Sequence, residues 1–136
     1  MIPGMGTWDI GHFDNDAAAD FSGSLDDAAE SERENIIRTT LIRTIETDEY
    51  LDSYDACKVL ASAALIAAQC PGGTPVTTAY APDNPLPVFS EDLRGLAVRA
   101  LDRVVAADSE LPELWDDTEH GPQWRQSVAD LRAVLA

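Results

Sequence analysis

The sequence predicts an all-α fold, an irregular bundle of five to six helices around a central alanine-rich helix. Three observations predict it. Alanine fills much of the apolar quota, and it is both the best helix former and small enough to let backbones approach closely. Apolar residues recur at spacings of three and four along most of the chain, the period of a helix with one buried face. Residues 71–90 hold five of the eight prolines, so the residues least compatible with helix are gathered in one stretch.

The elements follow in order. Asp14 or Asn15 is a suitable N-cap for a first helix over about 15–25, which would bury Ala18, Phe21 and Leu25. A stop or kink is expected near Ser22-Gly23. Ser31 and Glu34 have the spacing of a capping box for a second helix. Its apolar stripe is Ile37, Leu41 and Ile45, flanked by Ile36 and Ile42, with Arg33, Arg38 and Arg43 expected to point mostly outward. Asp52 or Ser53 opens the third helix, which runs to about Cys70 and ends at Pro71-Gly72-Gly73. Val59, Leu60, Leu65 and Ile66 cover several of its faces, and Ala61, Ala64 and Ala68 form a narrow small-residue face. A helix apolar on all sides belongs at the centre of a bundle.

Residues 71–90 read as a proline-rich ordered loop, with Val76–Tyr80 as a short extended piece. Ser90 is expected to cap a fourth helix that turns Leu93, Leu96, Ala97, Ala100, Leu101 and Val104 inward. Ser109 starts a short helix carrying Leu111, Leu114 and Trp115. Gly121-Pro122 breaks and restarts the chain, and the last helix buries Trp124, Val128, Leu131 and Leu135. Neither side of the proline-rich loop can bury a core alone, so residues 5–136 are expected to form one domain. Residues 1–4 read as an upstream extension or a cloning remnant.

The net charge is −16, and it is uneven. Residues 1–55 carry fourteen acids against three bases; residues 56–136 carry eleven against six. Such a field repels phosphate backbones, so no nucleic acid is expected as partner, and it attracts basic protein surfaces or peptides. The longest apolar run, Val59–Ala68, is too short to span a bilayer, and the N-terminus lacks a basic region followed by an apolar one. No membrane association is expected, and the cytoplasm is the expected compartment. Cys57 and Cys70 agree with that. Thirteen residues apart on one helix, they are separated by roughly 20 Å of rise, against the ~4.4–6.8 Å of a disulfide. They are expected to be reduced, buried thiols.

The candidate binding residues are Trp8, Asp9, His12, Asp14, Asp16 and Asp20. Asp14, Asp16 and Asp20, together with Asp9 or His12, could hold a divalent cation, since hard cations take clustered carboxylates. Capping, helix-dipole complementation and a solvated face account for the same residues. An EF-hand is excluded: counted from Asp14, position six is Ala19 and position twelve is Leu25. Trp8, Phe13, Phe21, Trp115 and Trp124 could line a pocket or seal the bundle, and Trp8 with Phe13 is expected to pin the opening loop across the helices. His120 lies beside acids in Asp116-Asp117-Thr118-Glu119-His120, which reads as a surface turn. Cys57 could be activated only by its place near a helix start. The Cys70–Pro75 segment follows a helix and lacks the lysine of a phosphate-binding loop.

Gly6-Thr7-Trp8-Asp9-Ile10-Gly11, followed by Phe13-Asp14-Asn15-Asp16-Ala17-Ala18-Ala19-Asp20-Phe21, resembles the start of a bacterial, mainly actinobacterial, family described as domain of unknown function 4259. Ala67–Gly73 and Asp108–Trp115 are similar to its other recurrent segments, and Trp124-Arg125 falls where its last helix begins. His12 stands where similar sequences usually carry proline, which weakens a catalytic case for it. The resemblance implies a soluble cytoplasmic bacterial protein and supplies no reaction, cofactor or ligand.

Two functions are open on this reading. The leading one is a small acidic binding or regulatory protein, immunity-like, that recognises a basic protein or peptide. The other is a divalent-metal-binding protein or metal-dependent enzyme using the N-terminal aspartates. No catalytic residue set is legible and no cofactor is expected; the oligomeric state, monomer or homodimer, stays open.

Overall fold

The most apolar stretch of the sequence becomes the axis of the molecule. The structure, a computed structural model, describes residues 16–71 and 88–136. Six helices occupy them: α1 (Asp16–Asp27), α2 (Glu30–Glu46), α3 (Ser53–Ala68), α4 (Asp92–Val104), α5 (Glu110–Asp116) and α6 (Gly121–Leu135). Among the described residues extended pairing is confined to one isolated bridge, between Leu51 and Ser109. The all-α bundle read from the sequence is the fold that forms.

Helix α3 packs against α1, α2, α4, α5 and α6. It can do so because it is buried on nearly every side: Val59, Leu60, Leu65 and Ile66 fill the space between helices, while Ala56, Ala61, Ala63 and Ala67 let neighbours come close. Each large aliphatic side chain taken from water contributes about 1.5–3 kcal/mol. Asp52 caps the helix, its carboxylate accepting from the Asp55 N–H at 2.8 Å. Around this axis α4 buries Leu93, Ala97, Ala100, Leu101 and Val104, and α6 buries Trp124, Val128, Leu131 and Leu135, on the stripes the sequence indicates. Gly121 sits where the chain folds back from α5. A Cβ there would lie 2.9 Å from the Trp115 carbonyl oxygen and 3.1 Å from the Asp116 Cα, so only glycine fits without moving backbone.

Several local expectations fail, because burial or a hydrogen-bond partner outside the local segment outweighs the local signal. Helix α1 runs through Ser22-Gly23 to Asp27 without a stop. An exposed mid-helix glycine costs only about 1 kcal/mol, less than the burial of Phe21 and Leu25 returns. The Ser31–Glu34 capping box does not form: α2 begins at Glu30 with Ala29 as its N-cap and no side-chain cap bond. Glu34 instead accepts from the Ser90 N–H at 2.8 Å and from the Ser90 hydroxyl. Ser90 is thereby drawn away from the expected capping role, and Glu91 takes the N-cap position of α4 without a side-chain bond. Arg33, expected to point outward, is buried, its Nε donating to the Leu25 carbonyl at 2.8 Å and Nη2 to the Ala28 carbonyl at 3.0 Å. Helix α3, by contrast, spans Ser53–Ala68 with Gln69 and Cys70 in its closing turn, in line with the expected range.

Residues 88–90 are fixed to both sides of the bundle, since the Phe89 N–H donates to the Gln69 side chain at 2.9 Å and Ser90 is held by Glu34. The expected cap at Asp14 or Asn15, the Trp8 and Phe13 anchors, and most of the proline-rich loop with its Val76–Tyr80 piece lie outside the described residues. Among the described residues no helix is long and apolar enough to cross a membrane.

Candidate functional site

The connection between α2 and α3 is short, acidic and held in place from two sides. Its signature is Glu46-Thr47-Asp48-Glu49-Tyr50-Leu51-Asp52-Ser53-Tyr54-Asp55, which interleaves carboxylates with two tyrosines. Leu51 is buried and pairs with the segment before α5: its N–H donates to the Asp108 carbonyl at 2.9 Å, and its carbonyl accepts from the Glu110 N–H at 2.8 Å. Arg103, in the last turn of α4, donates to the Glu49 carbonyl at 2.6 Å and to the Asp108 carbonyl at 3.1 Å, joining the same two segments. The Glu110 carboxylate accepts from the Ser53 N–H at 2.7 Å and so adds a second acceptor at the α3 N-terminus. Burying Leu51 leaves its neighbours in sequence facing water.

The result is an open groove of about 430 Å³ between the end of α2 and the start of α3. Glu46, Glu49, Asp52 and Asp55 line it against two cations, Arg43 and Lys58. Tyr50 is 55% exposed and Tyr54 46% exposed, unusual for large side chains in a bundle this small. Both phenols donate to carboxylates on other helices. Tyr50 bonds Glu113 of α5, and that bond, followed by burial and nearby carboxylate charge, pushes its pKa up to about 12. Tyr54 donates to Asp20 of α1 at 2.9 Å, which together with burial and the charges of Asp20 and Asp55 raises its pKa. The Lys58 ammonium stands over the Tyr54 ring, 5.0 Å from its centroid.

Elsewhere most of the basic side chains turn to partners within the molecule. Arg125 forms a two-pronged pair with Asp116 at 2.9 and 2.7 Å, and Arg132 with Asp102 at 2.8 and 3.2 Å. Arg38 reaches Asp92 and Glu34, and the Arg94 Nε donates to the Leu135 carbonyl at 3.2 Å. These bonds hold the guanidinium above its usual range in Arg38, Arg125 and Arg132, and the Asp92 and Asp116 carboxyls below theirs. Cations are thus spent inside the molecule, and the surplus of carboxylates faces outward.

Of the residues singled out from the sequence, Trp8, Asp9, His12 and Asp14 lie outside the described residues. Asp16 begins α1, and Asp20, one turn on, is exposed and tied to Tyr54. No group of three or more His, Cys, Asp or Glu placed to hold a metal occurs among the described residues. Trp115 and Trp124 are core residues stacked on each other, and Phe21 is buried. His120 is exposed in the turn before α6, with Nδ1 3.0 Å from the Gln123 amide oxygen. Tyr50, Tyr54 and Lys58 were not singled out; the acid–tyrosine string around them was the available signal.

The cysteines are free, and burial pushes the Cys57 thiol up to about 11. A thiol so shifted carries roughly a hundredfold less thiolate at pH 8 than an ordinary one. Cys57 is therefore expected to react with a thiol reagent on the order of a hundredfold more slowly in the folded protein than in denaturant. Comparable rates in both states would return it to the list of candidate nucleophiles.

No curated protein and no solved structure matches the chain. Residues 6–127, most of the sequence, match the family described as Domain of unknown function (DUF4259), and the chain belongs to that family.

Proposed function

We propose that the protein works by binding, as an immunity-like or regulatory factor that recognises a basic protein or peptide. The observation that carries this reading is the groove between α2 and α3, where the exposed Tyr50 stands among carboxylates. Lysine and arginine side chains gain from both: from the face of an aromatic ring, by about 0.5–1 kcal/mol at exposed sites, and from nearby negative charge. The net charge of −16 supports the same reading at longer range, since it speeds encounter with a basic partner in a salt-dependent way.

Any protein this acidic attracts a polycation, so the test must separate the groove from the general field. An oligoarginine peptide is expected to bind at low ionic strength, and the double variant Tyr50→Ala/Glu49→Gln to weaken it about five- to tenfold. Asp130→Asn removes the same single charge from α6 and is expected to leave affinity within about twofold. Equal losses in the two variants, measured by calorimetry, would remove the groove from the proposal. Absence of binding would remove the basic partner.

A further inference from the structure

We propose that Lys58, which lines this groove, is a resident cation at its edge, and that an arginine of the basic partner replaces it on the face of the neighbouring Tyr54. The inference rests on the binding reading above and deepens it. Lys58 is the one lysine in the sequence, and its ammonium lies 5.0 Å from the centroid of the Tyr54 ring. The surroundings suit a cation: the phenol is held by Asp20, the Asp55 charge reaches the same phenol, and Asp52 caps the helix alongside. The chain itself thus seats there the chemistry that a basic partner would bring.

The seat is exchangeable. Lysine carries a compact, strongly hydrated charge on a four-carbon stem with freely rotating bonds, so it can leave the ring without moving the α3 backbone. An exposed contact of this kind is worth about 0.5–1 kcal/mol, small enough for a competitor to displace. A guanidinium competes well because it is planar and less strongly hydrated. It stacks on a ring while donating sideways to carboxylates, which an ammonium does less completely. Arginine is therefore the expected occupant, and Lys58 holds the site until it arrives.

Arg43 supplies the control, since it lines the same groove from α2 and carries the same charge. Removing either cation strengthens the acidic field equally, but only Lys58→Ala uncovers the ring. Oligoarginine affinity is expected to rise about two- to fivefold more in Lys58→Ala than in Arg43→Ala, and the excess to vanish when Tyr54→Leu is added. Oligolysine of the same length is expected to bind wild type more weakly than oligoarginine. A single lysine also permits direct observation: reductive methylation with carbon-13 labels Lys58, whose methyl resonance is expected upfield from the ring and to return to its free position as oligoarginine is added. Equal gains in the two alanine variants, or a methyl resonance unmoved at saturation, would overturn the displacement. Oligolysine binding as tightly as oligoarginine would overturn the choice of arginine. Failure of oligoarginine to bind wild type at all would instead overturn the binding reading beneath it.

Discussion

Trp124→Ala is expected to cost about 3–5 kcal/mol, a large share of the ~5–15 kcal/mol that holds a domain together. Trp124 is 2% exposed and stacks on Trp115, with ring centroids 6.3 Å apart and planes 8° from parallel. Stacked aromatic pairs add about 0.5–1.5 kcal/mol beyond the area they bury. The loss extends past the cavity. Helix α5 has seven residues, far fewer than the roughly 12–15 at which an isolated helix becomes even marginal. It persists because Leu111, Pro112 and Trp115 are buried against the bundle, and Trp124 is the surface on which Trp115 rests. Urea unfolding followed by circular dichroism measures the effect, and the melting temperature is expected to fall by about 10–20 °C. Near-ultraviolet signal should be lost as well, because two of the three tryptophans change environment. A change below about 1 kcal/mol would mean that α5 is anchored by something other than the tryptophan pair.

The same variant reaches the groove. Glu110 and Glu113 both ride on α5, one holding the α3 N-terminus and the other the Tyr50 phenol. Packing of Trp115 on Trp124 thus supports, through α5, two residues that hold the groove.

What was legible in the sequence is what burial enforces. Leu93, Ala97, Ala100, Leu101 and Val104 fall on one stripe because water excludes them together, and the same holds for Trp124, Val128, Leu131 and Leu135. The central place of α3 was legible for the same reason, since a helix apolar on every side has no solvent face to offer. Polar contacts were not legible, because their partners are distant in sequence. Glu34 has the spacing of a capping residue yet meets Ser90, fifty-six positions on. Asp20, read with its neighbours as a possible ligand group, meets Tyr54, thirty-four positions on. Hydrogen-bonding groups choose among many acceptors by three-dimensional proximity, and periodicity carries no information about that choice. The groove itself left only a compositional trace, the run of acids and tyrosines from Glu46 to Asp55.

Arg33 is the clearest case, and the second large effect. It lies four residues before Ile37 and eight before Leu41, on the buried stripe of α2, so helical geometry points it inward despite its charge. There it meets the end of α1, a helix with no basic residue in its last turn. Its donors reach the Leu25 carbonyl, which also accepts from the Ala28 N–H at 3.2 Å, and the Ala28 carbonyl just past the helix, and its charge complements the negative end of the helix dipole. Buried ion pairs can often be replaced by apolar residues at little cost, because both charges leave together. That exchange is not open here: the partners are backbone carbonyls, which remain when the side chain is removed. Arg33→Met is therefore expected to destabilise by about 2–4 kcal/mol, the cost of losing two charge-assisted bonds and leaving the Leu25 and Ala28 carbonyls without their guanidinium donors. Arg33→Lys should recover less than half of this, since one ammonium cannot match a fork that spans two carbonyls. Hydrogen exchange would localise the damage, with amides of α1 losing protection before those of α4 and α6. Because Asp20 reaches Tyr54 from α1, a loosened α1 should also weaken oligoarginine binding at temperatures where the rest of the bundle is intact. An Arg33→Met protein within about 0.5 kcal/mol of wild type would show instead that α1 is held by Phe21 and Leu25 alone.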